Sequence, residues 1–138
     1  MTIPTDPDGT LERARGGDLN VGISHSPPWT IAADAESPTG TEVELVEDYA
    51  ADIGAEVRWQ VGGEEELMTR LKDDQLDMII GGLTDDSPWD SHAALTTPYT
   101  ESTGPDGRTE KHVMAVRLGE NAFMVDLERY LLAEGRRP

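Results

Sequence analysis

The sequence predicts a three-layer α/β/α domain built on a doubly wound, mostly parallel sheet. Two observations carry this. Strand-like and helix-like patterns alternate β-α-β-α-β over residues 19–82, and such units give parallel strands with helices on both faces. The third strand-like stretch, LDMIIGG at 76–82, is almost continuously apolar after Asp77, as a strand covered on both faces requires. The expected strand order is 2-1-3, with a later hairpin pair of strands at one side.

Residues 1–17 read as a leader to about Asp8, flexible in composition, and a short helical turn, TLERARGG, ending at Gly16 and Gly17. The domain proper is 18–135. LNVGIS (19–24) is a first strand, and HSPPW ends it, because adjacent prolines cannot continue a ladder. IAADAESPTG is a loop. TEVELVEDYAADIG (41–54) is a helix: Val43, Val46, Ala50 and Ile53 fall on one stripe, and Gly54 stands where a C-terminal cap belongs. EVRWQV (56–61) is a second strand. GGEEELMTRLKDDQ is a second helix, with Glu64, Glu65 and Glu66 in its first turn and Arg70 and Lys72 near its end, an order that suits the helix dipole.

After the third strand comes LTDDSPWDSH, a loop with room for a helical turn from Pro88. LTTPYT and HVMAV are short strands. Between them ESTGPDGRTEK (101–111) has no apolar side chain larger than proline, which marks an exposed turn. Last is ENAFMVDLERYLLAEG, a helix with Phe123, Leu127, Tyr130 and Leu131 on one face and Gly135 as its stop. In sheets of this kind ligands sit beyond the carboxyl ends of the strands. HSPPW, GG and GGLTDDSPW gather there.

The 138 residues make one ordinary domain, and no internal repeat is visible. Cysteine is absent, so there is neither a disulfide framework nor thiolate chemistry. Acidic residues outnumber basic ones 28 to 11, for a net charge of −17. A field of that sign repels phosphate backbones and anionic membrane surfaces, so neither nucleic acid nor a membrane is an expected partner. No apolar run reaches the ~18 residues of a membrane span. No basic-then-apolar signal segment is read at the start, so an exported protein would carry this chain in mature or trimmed form.

Five stretches, in order, carry a resemblance. LNVGISHSPPW resembles an opening strand followed by Pro-Pro-aromatic. GTEVELVEDYAADIGAEVRW resembles a Gly-x-Asp-Val-Asp-Leu helix and its following strand, with Glu42 and Glu44 in the acidic places. LMTRLKDDQLDMIIGGLT resembles a Leu-x-x-Gly-x-x-Asp strand and Gly-x-Thr turn. LTTPYT resembles a Phe-Ser-x-Pro-Tyr hinge strand, and HVMAVRLGENAFMVDLERYLLAEG a returning strand and terminal helix. Over 19–100 and 112–135 the chain thus resembles the first lobe of a family 3 extracellular solute-binding protein. That class feeds ABC importers of polar amino acids.

The resemblance implies one lobe of a type II periplasmic-binding-protein fold, acting outside the cytoplasm, with an ABC permease as a partner and no enzymatic activity. Two departures follow from it. In the family a whole second lobe lies between the Pro-Tyr strand and the returning strand. A domain needs about 50 residues, and here only the loop 101–111 is available. The family's amino-acid binders also follow Gly-x-Thr with Thr-x-x-Arg, whose arginine holds the substrate carboxylate by a bidentate pair. Here the run is Leu83-Thr84-Asp85-Asp86-Ser87-Pro88-Trp89, and no arginine lies between Arg70 and Arg108.

The candidate ligand residues are Ser26, Trp29, Gly82, Thr84, Asp85 and Trp89. Trp29 and Trp89 each follow a proline beyond a strand, and aromatic faces beside Asp85 and Asp86 suit a cation such as a basic or quaternary amine. The plain alternative is that the indoles cover core under long loops. Ser26 and Thr84 offer hydroxyls, and Gly82 lets a ligand approach the main chain; ordinary turn chemistry explains these residues equally well. Asp77, at a strand start, reads as structural.

No cofactor or metal is implied. His25, His92 and His112 lack the spacing of a helical metal pair, and DPDG (6–9) lacks the later positions of a calcium loop. Ser24, Ser26 and Ser87 sit in no nucleophile elbow. GGEEE would repel a phosphate. The expected activity is weak binding of a small polar or cationic solute, an amino acid or amine. The alternative is a protein-docking or self-association module, a homodimer included, that uses the same face.

Overall fold

The computed structural model describes residues 5–32, 37–89 and 92–135. Its elements run α1 (Thr10–Ala14), β1 (Asp18–Ile23), α2 (Thr41–Ile53), β2 (Glu56–Val61), α3 (Glu64–Lys72), β3 (Met78–Ile80), β4 (Ala94–Leu95), β5 (Thr100–Thr103), β6 (Thr109–His112), β7 (Ala115–Val116) and α4 (Asn121–Gly135). Five strands form one sheet in the order β2-β1-β3-β7-β4. β1 pairs in parallel with β2 and β3, with Val21 opposite both Trp59 and Met78. β7 runs antiparallel between β3 and β4. The 2-1-3 order and the later strands at one side are as the alternating pattern predicts.

Strand periodicity divides the core into two layers. Met78 and Ile80 face α2 and α4, among Tyr49, Val46, Phe123 and Leu127. Ile79 points the other way, toward Leu67, Met68 and Leu71 of α3. The next strand repeats this, with Met114 and Val116 in the first layer and Val113 and Ala115 in the second. At Gly22 the side chains of α3 and of the segment after it pack directly on the strand. A Cβ there would lie 2.7 Å from Leu76 and 3.0 Å from Leu67. Gly54, left-handed at φ 71, ends α2 while Ala55 N–H bonds the Ala50 carbonyl at 2.7 Å.

Two expected strands divide. LTTPYT gives its Leu95 to β4 of the main sheet and its Thr100 to the start of β5 in a separate ribbon, with the Thr96–Tyr99 stretch between them. Pro98 has no N–H to donate, and Thr96 instead exchanges bonds with Met114 through its main chain and hydroxyl, both at 2.9 Å. HVMAV divides in the same place on the partner strand. The stretch 101–111, expected as an exposed turn, is mostly ribbon: β5 and β6 pair from Thr100–His112 to Thr103–Thr109. Only Gly104–Arg108 turns, closed by Gly104 N–H on the Arg108 carbonyl at 2.8 Å.

The start of the chain also differs from a free leader. Asp6 accepts the Leu11 and Phe123 N–H groups, each at 3.0 Å, so one carboxylate caps two helix starts. Arg117, nearly buried, bonds Asp74 at 2.7 Å and pairs with Asp8, with Thr10 and Glu120 beside it. This network ties residues 5–10 to the front of α4. Asp77 pairs with Arg13 and accepts Asn20 N–H at 2.9 Å, the structural part expected of it. Among the described residues no helix is long and apolar enough to cross a membrane, and no group of three metal-ligating side chains occurs.

Candidate functional site

The carboxyl ends of β1 and β3 open into two turns, and these meet. Ser26 and Thr30 exchange main-chain bonds at 3.0 Å each, which folds HSPPW into a tight loop. Gly82, at φ +69, lies against it: a Cβ would fall 2.6 Å from Ser26 Oγ and 3.1 Å from Trp29 Cδ1. Glycine is therefore required there both by conformation and by the close approach. Three of the six expected residues, Ser26, Trp29 and Gly82, are thus brought together.

What holds them is a residue read from the sequence only as a family-like acid. Glu42, in the first turn of α2, is fully buried. Its N–H bonds the Trp29 carbonyl at 3.0 Å. Its carboxylate accepts Gly82 N–H at 2.8 Å and the Tyr99 hydroxyl at 2.5 Å. Burial pushes the Glu42 carboxyl above its ordinary value, against the hydrogen bonds from Tyr99, Gly82 and Gly81 that favour the anion. Burial also raises the Tyr99 phenol, and the adjacent Glu42 charge raises it further. The proton between them stays on the phenol, which acts as the donor.

Thr84 and Asp85 form a separate ridge. Thr84 bridges His112 through the main chain, and Asp85 N–H bonds the Lys111 carbonyl at 2.9 Å, so the turn is pinned to the base of the ribbon. Thr84 donates its hydroxyl to Asp86. A groove of about 460 Å³ opens on one side of the ridge, lined by Thr84, Asp85, Asp86 and the ribbon residues 105–106 and 108–111. A second, of about 240 Å³, opens on the other, lined by Gly82–Thr84, Asp86–Pro88 and Glu64.

Trp89 takes partners of its own. Its Nε1–H donates to Glu64 at the start of α3 at 2.5 Å, and its ring packs on the α3-side core beside His92. The two indoles do not share a wall: Trp29 stacks instead on His112, with ring centroids 3.9 Å apart and planes at 36°. His112 is buried, and its Nε2 shares a 2.7 Å hydrogen bond with Ser102. Glu42, Tyr99 and His112 are the residues that sequence reasoning missed at this face. Tyr99 and Glu42 are 57 positions apart, and only the closed fold brings them together.

The sequence model of the bacterial extracellular solute-binding proteins, family 3, matches residues 19–128. No curated protein sequence matches. Among solved structures, the chain is similar to the arginine-bound form of domain 1 from TmArgBP, the arginine-binding protein of T. maritima. There the identity is 26%, the TM-score 0.68, and the match covers 90% of this chain and 94% of that one. A mutant of the same domain gives 24% identity and a TM-score of 0.77, over 92% of this chain and 99% of the other. An arginine-specific periplasmic binding protein of Salmonella typhimurium shares the fold at 11% identity and a TM-score of 0.73, over 88% and 94%. The motif order, the 2-1-3 sheet with its returning strand and the match over most of the length lead to one conclusion: the chain is a single lobe belonging to the family 3 bacterial extracellular solute-binding proteins.

Proposed function

We propose that this lobe binds a small cationic solute, an amine or a basic amino acid, over the Gly82–Asp86 turn. The carrying observation is the ridge itself. It stands at the carboxyl end of β3 between two open grooves whose lining holds five carboxylates, Glu64, Asp85, Asp86, Asp106 and Glu110, against Arg108 and Lys111. Grooves of this size lie at or below the small end of ligand sites. Thr84 supplies a hydroxyl, Gly82 exposes main chain, Trp29 backs the turn through Gly82, and Trp89 fixes Glu64. Arg108 and Lys111 stand among five carboxylates, and this acidic excess favours amines over acidic amino acids. Domain 1 from TmArgBP, a lone lobe of similar extent, has an arginine-bound form, and this supports binding without a second lobe.

The ribbon 100–112 takes the place at which two-lobed members carry their second lobe, and it forms one wall of the larger groove. A single lobe with so short a wall buries only part of a ligand, so affinity is weak. On this reading the domain works outside the cytoplasm and delivers solute toward an ABC permease; its membership of the extracellular solute-binding family supports this.

A thermal-shift titration tests the reading with putrescine, L-arginine, glycine betaine and L-glutamate at millimolar concentration. A ligand at ten times its Kd adds about 1.4 kcal/mol and raises Tm by roughly 3–5 °C. The expected result is a shift from the cations, absent with glutamate and reduced in Asp86→Asn. A shift from glutamate alone, or none from any probe, overturns it.

One observation favours docking instead. Ile31 and Val61, both toward the carboxyl-end face, are 43% and 36% exposed. A dimer mass by light scattering, with no ligand-induced shift, would select that reading.

A further inference from the structure

We propose that His112 is the positioning residue for Trp29 and tunes the adjacent cation site by protonation: neutral, it backs the indole behind the Gly82 turn, and protonated, it weakens the hold of that turn on a cationic solute. The tuning rests on the cation-binding reading above; the coupling of the two rings does not.

The geometry is specific. The imidazole lies against the indole at 3.9 Å between centroids. Trp29 is only partly exposed, and Gly82 presses on its Cδ1 edge. A neutral imidazole is a flat packing surface that adds no charge behind the turn. An imidazolium takes the indole's negative face potential for itself, because a cation over an indole face is the favoured arrangement. A solute cation over the Gly82–Asp86 turn, which bridges to His112 through Thr84, would then face a positive charge roughly 8–10 Å away, in a setting between protein and water, which weakens its binding about tenfold.

Protonation also changes what the imidazole must bond. Nε2 already has Ser102. Nδ1 is buried and makes no hydrogen bond with the described residues. A neutral ring tolerates this; an imidazolium has two N–H donors to satisfy. The main chain of Leu83 and Gly82 is close enough to the ring to favour the charged form. Turning toward those carbonyls moves the ring relative to Trp29 and pulls on the turn that carries the ligand face.

The surroundings fix the range in which this happens. Burial is the largest influence and lowers the His112 pKa from 6.5, while Glu110 on the same strand raises it in part. From β5 come Ser102 and, across from Lys111, Glu101. The turn after β3 contributes Leu83 and Thr84 through the main chain. Tyr99 N–H bonds the His112 carbonyl at 3.0 Å, with the Glu42 carboxylate behind its hydroxyl. The switch therefore lies below pH 6.5, on the acid side of neutrality.

The test follows the histidine imidazole and Trp29 indole resonances by NMR from pH 7.5 to 4.5. The Trp29 indole should titrate with the His112 midpoint, below 6.5, and this response should vanish in His112→Gln. Ser102→Ala, which leaves the stack in place and removes the Nε2 partner, should move the shared midpoint lower. It serves if the first variant does not fold. Calorimetric titration with putrescine and with L-arginine should give a Kd about tenfold weaker at pH 5.0 than at 7.5, and less than a twofold change in His112→Gln. An indole that ignores His112, or a pH dependence that survives His112→Gln, overturns the proposal. Coupled rings in a protein that binds neither probe at pH 7.5 overturn the solute-binding reading instead, and the tuning with it.

Discussion

Replacing Glu42 should unfasten the ligand face before it unfolds the lobe. The two closest donors on this carboxylate are Gly82 N–H at 2.8 Å and Tyr99 O–H at 2.5 Å, with Gly81 N–H also favouring the anion, and Glu42 is fully buried. Glu42→Ala leaves both donors without an acceptor, at about 1–3 kcal/mol each. Relief from burying a charge offsets part of this, so the net loss is about 2–4 kcal/mol, or roughly 6–12 °C in Tm for a chain of this size. Glu42→Gln keeps an oxygen for Gly82, and its amide can donate to the Tyr99 oxygen, so it should lose no more than about 1 kcal/mol.

The two variants also separate charge from hydrogen bonding. The folded-state pKa of Glu42 is raised above its ordinary 4.5. Its contribution to stability is then fully present below that value and is lost as pH rises through the raised one. Glu42→Gln cannot titrate, so it should gain on the parent between pH 4.5 and neutrality. Calorimetric melts at pH 4.5, 5.5 and 7.0 measure all of this. A Glu42→Ala variant within 1 kcal/mol of the parent, or a Glu42→Gln variant as damaged as Glu42→Ala at pH 7.0, would refute the reasoning.

Two further outcomes follow from features already described. Gly82→Ala places a Cβ 2.6 Å from Ser26 Oγ at a left-handed φ of +69; strain and displacement together should cost about 2–4 kcal/mol in urea unfolding and remove any cation-induced thermal shift, and an unchanged midpoint would show that the turn tolerates a side chain. With 28 acidic residues against 11 basic, self-repulsion opposes folding, so raising NaCl from 0.05 to about 1 M should raise Tm by several degrees, whereas a falling Tm would mean that the Arg117 and Arg13 ion pairs outweigh the repulsion.

The sheet was legible because its signals are local. Val43, Val46 and Ala50 announce α2 by spacing, Met78–Ile80 announces a buried strand by continuous apolarity, and handedness rules do the rest. The split of LTTPYT was signalled weakly by Pro98, but the decisive bonds, from Thr96 to Met114, join strands 18 residues apart. The site was legible only in part. Ser26, Trp29 and Gly82 meet because strands of one sheet end together. Trp89 follows proline as Trp29 does, yet it packs on the other layer and bonds Glu64. No periodicity reports that difference. Glu42 in a helix's first turn looks like any dipole-complementing acid, and its burial depends on Tyr99. His112 stands out in sequence only as a metal-ligand type that lacks the spacing, and its stacking on Trp29 has no signature there.

The ribbon ends at Gly104–Arg108, with Thr103 and Thr109 paired across it, so the chain leaves and returns about 5 Å apart. Seen as architecture, this tip is a docking port in the covalent sense. A folded unit whose own ends lie that close could be spliced in without moving a strand of the main sheet. It would arrive beside the Thr84–Asp86 ridge already tethered, at an effective concentration in the millimolar range. A single insertion at this turn would therefore give the open lobe a second jaw without rebuilding the sheet beneath it.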